Sequence, residues 1–284
     1  MTSRDLILDK RFRLFSFKLM GDATSMMDYY TKKAVESFRT KITEAILEGK
    51  VLLPPSAYEE ALGAAEIRQS LKLKTREGQC QFNGKDYILG SLLFRSPHGL
   101  GQQSCIFLQR SGEKRGLLMI QVLPKLISTV IEFLTYDIGA FVKPVVADQG
   151  LLQRSVNGTF SKLREIGKLG SFGDIEFTFG VNGLQQSSLQ NVLIVLPNSE
   201  LKLFESSEGP FLNSLFQQLD SSTAVDFSKL QLVKIKCTLF NIFSNGKIMF
   251  TREMTSSPSP SEDEDRPSVW YILEDLLDTF VVKQ

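Results

Sequence analysis

The chain of 284 residues holds one histidine, one tryptophan and three cysteines, and most of these scarcities exclude a class of function. His98 lies in the loop Pro97-His98-Gly99-Leu100-Gly101, with neither a nucleophile elbow nor a Cys–His arrangement around it, so triad chemistry has no anchor. Cys80, Cys105 and Cys237 stand far apart, without paired metal-ligand spacing. Each sits beside strand-like residues, which reads as buried thiols in a reducing compartment. Charge of one sign is not in excess: 33 Lys+Arg face 32 Asp+Glu, so attraction to nucleic acid has to come from a local patch. Uncharged apolar runs stay short of the ~18 residues of a membrane span. Charges also interrupt the apolar residues of the opening MTSRDLILDKRFRLFSF, unlike a secretory signal. Gly170-Ser171-Phe172-Gly173 lacks the Lys-Ser/Thr of a phosphate loop and does not fit the dinucleotide fingerprint. The expectation is a soluble, intracellular protein that is not an enzyme and uses no cofactor, metal or membrane.

What is present is the composition of a folded protein, 42% hydrophobic and 10% aromatic. A spacing of two runs over 10–20, where Phe12 and Leu14 give way to Phe15, Phe17 and Leu19. It returns over 70–75, 86–94, 104–108, 174–180 and 191–196, and these are predicted strands. Helical spacing covers 25–47, where Met27, Tyr30, Ala34, Phe38, Ile42 and Ala45 share a stripe with Lys32, Lys33, Arg39 and Lys41 facing away. Further helices are predicted over 57–67, from Pro124 to Leu134, from 148 to 153 with a continuation to 163, and over 210–219 and 269–280. Pro144 argues that a strand over 140–146 lies at an edge. Asn157-Gly158-Thr159 matches a glycosylation sequon but, without a secretory signal, reads as a turn. The whole predicts an α+β fold of two lobes, over 1–150 and 151–284, built on mostly antiparallel twisted sheets with flanking helices. Residues 255–268, rich in Ser, Pro and acid, cannot bury a core and are expected to form a flexible loop.

Residues 229–254, KLQLVKIKCTLFNIFSNGKIMFTREM, organise the second lobe. Leu230 and Leu232, then Val233, Ile235, Cys237 and Leu239, alternate with polar positions, with one phase slip at Leu232–Val233. Asn245-Gly246 predicts a type I′ turn into a return strand over 247–251. An isolated two-stranded ribbon is marginal in water, so this hairpin needs a sheet beneath it or a partner beside it. Lys229, Lys234, Lys236 and Lys247, with Lys10, Arg11 and Arg13, have two readings. They line a basic groove for phosphates, with Lys10, Arg11, Arg13, Lys229 and Lys247 as the DNA-contact candidates. Alternatively, the lysines blunt a sheet edge against unwanted pairing. Ser257 and Ser259 precede prolines and Ser261 precedes Glu262-Asp263-Glu264, which makes them phosphorylation candidates that would add charge to an acidic loop.

Four stretches carry a family resemblance. They are Asp9-Lys10-Arg11-Phe12-Arg13-Leu14-Phe15-Ser16-Phe17 leading to Asp28-Tyr29-Tyr30; IEFLTYDIGAFVKPV within 126–145; the strand over 174–179; and residues 211–250 followed by an apolar helix. Together they span most of the chain, and their order and content resemble centromere protein L of the inner kinetochore, including its diverged fungal relatives. The Ser- and acid-rich tract departs from that pattern as an insertion. The resemblance implies a non-enzymatic kinetochore subunit, nuclear and centromeric, that pairs with a centromere protein N-like partner through its C-terminal sheet. It also implies contact with other inner-kinetochore subunits and support of centromeric DNA or nucleosome binding and chromosome segregation. Strand pairing along an exposed edge is a physical route to such a dimer. By position in the matching strand, the partner-binding residues are Lys234, Ile235, Lys236, Cys237, Thr238, Leu239, Phe240 and Ile242, and a homodimer through the same edge is the alternative without the partner. The second functional reading is a standalone nucleic-acid-binding protein that uses the basic strand faces.

Overall fold

The computed structural model describes residues 7–21, 25–51, 63–82, 84–97, 99–180, 191–205, 209–223, 225–251 and 269–278. His98, Ser257, Ser259, Ser261 and the whole 255–268 tract lie outside them. The described residues fall into two compact units, Phe12–Pro144, and Ile7–Arg11 with 145–278. Each is α+β, with a largely antiparallel sheet and flanking helices.

The first unit contains β1 (Lys10–Leu19, its first two residues counted with the second unit), β2 (Lys72–Phe82), β3 (Lys85–Ser96), β4 (Leu100–Arg110), β5 (Arg115–Gln121) and β6 (Ala140–Pro144). They run in the order β2-β3-β4-β5-β1-β6, every pair antiparallel. Among the described residues β6 pairs with β1 alone, the edge position its proline predicts. Strand β5 escapes period-two reading because all of Gly116–Ile120 is buried, as in a strand covered on both faces. Gly116 itself has no room for a side chain: a Cβ there would stand 2.5 Å from the Leu108 carbonyl oxygen and from the Phe17 ring.

Three helices pack on this sheet: α1 (Lys32–Leu47), α2 (Ala64–Ser70) and α3 (Ile127–Tyr136). The Thr31 hydroxyl starts α1 by accepting the Ala34 N–H at 3.2 Å. Its stripe of Ala34, Phe38, Ile42 and Ala45 is buried. Phe38 meets Phe94 edge-on at 5.1 Å between centroids and Phe133 of α3 at 4.7 Å. The cations of α1 face outward as expected, Arg39 pairing with Glu36 at 3.5 Å and Lys41 with Asp137 at 3.6 Å.

The second unit contains β7 (Ile175–Gly180), β8 (Asn191–Leu196), β9 (Gln231–Lys236), β10 (Phe240–Phe243) and β11 (Lys247–Phe250), ordered β11-β10-β9-β7-β8 and all antiparallel. Leu8 bridges in parallel to Phe250, and the Asp9 N–H donates to the Phe250 carbonyl at 2.7 Å. Helices α4 (Gln149–Glu165), α5 (Phe211–Thr223) and α6 (Val269–Leu277) complete the unit. The Asp148 carboxylate caps α4, accepting the Leu151 N–H at 2.7 Å.

Helix α4 runs unbroken through Gly158, so the turn expected at Asn157-Gly158-Thr159 is corrected. A helix-interior glycine costs about 1 kcal/mol, and the contacts on either side of it outweigh that. Thr159 is buried with its hydroxyl donating to the Ser155 carbonyl, and the Asn157 side-chain oxygen accepts the Leu212 N–H at 2.9 Å, capping the first turn of α5. Phe160 of α4 stacks on Phe211 of α5 at 4.2 Å, and Phe179 of β7 packs on Phe216 at 6.0 Å. Phe177, Phe179, Ile235, Ile242 and Phe250 fill the buried face of the sheet.

Candidate functional site

Residues 229–251 fold into three strands where the sequence predicted two. The chain reverses at Thr238 and Leu239, closed by the Cys237 N–H donating to the Phe240 carbonyl at 2.9 Å, and so separates β9 from β10. The phase slip at Leu232–Val233 is a β-bulge. Thr178 of β7 opposes Lys234 and Phe179 opposes Leu232, leaving Val233 without a partner on β7. The Val233 carbonyl instead accepts the Ser244 N–H at 2.8 Å. At the second reversal only Gly246 takes a positive φ, 76°, and its N–H donates to the Phe243 carbonyl at 3.0 Å. Asn245 keeps a negative φ, so the expected type I′ turn is corrected to a longer loop with glycine in the left-handed position.

The larger correction concerns the edge. Strand β9 lies between β7 and β10, and β10 between β9 and β11, so the stretch 234–242 has no open side to which a strand can be added. Ile235, Leu239, Phe240 and Ile242 are core residues, and burial pushes the Cys237 thiol up to about 12. The open edge belongs to β8, which among the described residues pairs only with β7. Its sequence Asn191-Val192-Leu193-Ile194-Val195-Leu196 carries no charge, and Leu193 and Val195 are 60% and 50% exposed.

Register places Leu193 beside Thr178, Lys234 and Phe243, and Val195 beside Glu176, Lys236, Asn241 and Met249, all on one half-exposed face. Residues directly opposite in an antiparallel pair share a face. The Asn241 side-chain oxygen in that face is buried with no hydrogen-bond donor among the described residues. The other face of the same strands is the core.

The basic residues singled out by sequence each have their own surroundings. Lys236 is paired with Glu176. Lys229 is held by Asp226 at 2.8 Å, and Lys229 together with Ser228 draws the Asp226 carboxyl down to about 2. Lys234 lies over the Phe243 ring, 5.6 Å from its centroid. Lys247 is exposed at one end of β11, whereas Lys10 and Arg11 follow Leu8, which is bridged to the other end. Arg13, also exposed, lies in the first unit. Among the described residues no three of His, Cys, Asp and Glu stand close enough to hold a metal ion, and no helix is long and apolar enough to cross a membrane.

Fold and site together define an α+β protein that offers an uncharged strand edge beside a half-exposed sheet face. Residues 93–283, more than half of the chain, match the family model for Centromere protein L, and the chain belongs to that family. The family consists of structural kinetochore proteins, so the role of this chain is kinetochore-related, with a place in the nucleus on the chromosome. No curated protein matches the chain.

Proposed function

We propose that this protein is a non-enzymatic inner-kinetochore subunit that pairs with a centromere protein N-like partner through the sheet of its second unit, with β8 as the seam. The pair, beside other inner-kinetochore subunits, supports binding to centromeric chromatin and chromosome segregation. The observation that carries the seam is the open edge of β8, four successive apolar residues, Val192 to Val195, without a protecting charge. An edge of this kind invites strand addition, and a partner strand satisfies its outer backbone groups while covering Leu193 and Val195. A second copy of the chain takes the same edge when the partner is absent.

The test is co-expression with the centromere protein N-like subunit of the same organism, followed by size exclusion and hydrogen exchange. Co-elution with new amide protection over 191–196 is the expected result. Failure to co-elute overturns the functional reading. A complex that leaves 191–196 unprotected overturns the seam alone.

A further inference from the structure

The end of helix α2 sets a kinase recognition pattern beside two arginines that share one carboxylate. Arg68-Gln69-Ser70-Leu71 has arginine two places before a serine and an aliphatic residue directly after it. Among the described residues no other serine or threonine is flanked in this way. Basic-directed kinases select substrates by such charge patterns. So short a motif recurs by chance, and the surroundings of Ser70 are what give it weight. Ser70 is the last residue of α2 and is half-buried. Its hydroxyl donates to the Ile67 carbonyl at 2.8 Å and lies 3.2 Å from the Ser96 hydroxyl of β3, in hydrogen-bond contact. Arg39 of α1 reaches this end of α2, its Nη1 donating to the Arg68 carbonyl at 3.5 Å. Arg68 pairs with Glu36 at 3.0 Å, and Arg39 lies 3.5 Å from the same carboxylate. One carboxylate thus faces two cations. The Arg39 Nε is moreover buried and makes no hydrogen bond among the described residues. Buried donors without an acceptor are rare, because each forfeits its hydration for nothing in return.

We propose that Ser70 is a phosphorylation site for a basic-directed protein kinase, with Arg39 and Arg68 receiving the phosphate. In the transfer the Ser70 oxygen bonds to the γ-phosphorus of ATP and the bond from that phosphorus to the bridging oxygen breaks. ADP departs, and the hydroxyl proton passes to the kinase's base. The product carries close to two negative charges and three acceptor oxygens. It suits two forked guanidiniums better than the single Glu36 carboxylate does, and it gives the Arg39 Nε an acceptor. The phosphorylated oxygen has no proton left to donate to the Ile67 carbonyl. Its charge also opposes the C-terminal end of the helix dipole and Glu66 one turn back. Phosphorylation therefore draws both arginines from Glu36 and loosens α2 from α1 and β3. Ile67 and Leu71 are buried, so the kinase reads a form in which α2 has opened. A helix of seven residues is marginal by itself. The exposed Arg68–Glu36 pair adds little to its hold, which puts α2 among the segments that open locally. Arg39, Arg68 and Ser70 all precede residues 93–283, so the site depends neither on the family match nor on the proposed kinetochore role.

The test incubates the folded full chain with the catalytic subunit of cAMP-dependent protein kinase and Mg-ATP, and tandem mass spectrometry maps the phosphate. Phosphate on Ser70 is expected. Its rate of incorporation should fall about tenfold in Arg68→Gln, which breaks the recognition pattern, and stay unchanged in Arg39→Gln, which lies outside it. The phosphorylated chain is then titrated by phosphorus NMR. A free phosphoserine loses its second proton near pH 6, at about its ordinary value. Two guanidiniums favour the dianion, so the midpoint should lie about one unit lower. Arg39→Gln should return it most of the way, and Arg39→Lys, which keeps the charge, only in part. Circular dichroism of each variant reads the fold separately. No phosphate on Ser70 in the folded chain, or phosphate there only after heat denaturation, overturns the site. A midpoint at the ordinary value that Arg39→Gln does not move overturns the role of the arginines.

Discussion

Replacing Leu193 and Val195 together with Glu isolates the seam from the fold. Both side chains lie on the half-exposed face of β8, 60% and 50% exposed, so the free chain loses little when they change. Surface substitutions of this kind usually shift stability by no more than about 0.5 kcal/mol. Complete burial of a leucine or valine side chain contributes about 1.5–3 kcal/mol. Covering the half or more that remains exposed contributes about 1–1.5 kcal/mol per residue, or about 2–3 for the pair. At 1.4 kcal/mol per tenfold, the double Glu variant should bind the partner about 30- to 150-fold more weakly. Desolvating the new carboxylates at the seam adds to the loss. The measurement is titration calorimetry with the purified partner, alongside a thermal melt of each free chain. Ile235→Asp is the contrasting substitution: Ile235 is 0% exposed between β7 and β10, so a charge there unfolds the unit. Lost binding in that variant says nothing about a seam. Wild-type affinity in the double Glu variant, with its melt unchanged, would refute the reasoning.

Gly116→Ala should lower stability by about 1–3 kcal/mol, because the new methyl group meets the Leu108 backbone carbonyl at 2.5 Å and the strand has to shift. Gly78→Ala, in β2 with open space around it, should stay within about 0.5 kcal/mol in the same urea titration. Equal effects at the two positions would contradict the packing of β5. Burial raises the thiols of Cys237, to about 12, and of Cys105, and raises half-buried Cys80 as well. At pH 8 a disulfide reagent should therefore reach at most Cys80 in the folded chain and all three thiols in denaturant. Because the folded state holds these protons more tightly, their contribution is complete below the ordinary thiol value of about 8.5 and is lost as pH rises toward 12. The urea midpoint should fall between pH 8 and 10.5, and a midpoint that rises over that interval would contradict buried thiols.

Much of the fold was legible because one-sided burial leaves a period in the sequence. Strands β1, β3, β4, β7 and β8 and helices α1 and α3 all announce themselves this way. Two phase slips illustrate the limit of such a signal. The slip at Leu232–Val233 marks a bulge that keeps Leu232 and Ile235 in the same core. The slip at Leu14–Phe15 marks no bulge: the register to β5 is unbroken, and both residues are buried on opposite faces. An identical pattern thus has two causes, which only the neighbouring strands distinguish. The reversal at Thr238-Leu239 was illegible because neither residue has turn chemistry. The hydrogen bonds that close it come from Phe240 and, through the Thr238 N–H, from the Phe172 carbonyl far away in sequence. The open edge was expected in the wrong strand for a related reason. A basic, alternating strand looks the same at an edge and in the interior, since its edge status is a property of its neighbours.

The edge strands β2 and β8 differ in a way that bears on use. Strand β2 is the longer, and it carries Lys72, Lys74, Arg76 and Glu77 along its length. Charges of that density prevent another strand from pairing. Strand β8 has none, although Lys, Glu and Pro are all common elsewhere in the chain. If both strands were merely where a sheet stops, both would need the same protection, because an unprotected apolar edge in water templates aggregation. Among the described residues β8 is bare on its outer side, and the proposed reading is that a partner strand covers it for most of the protein's life. The isolated chain should therefore self-associate reversibly as concentration rises, and Val195→Lys should return it to monomer in sedimentation velocity. A wild-type chain that stays monomeric while its 191–196 amides exchange slowly would mean that the chain covers its own edge, and β8 would then be unavailable to any partner.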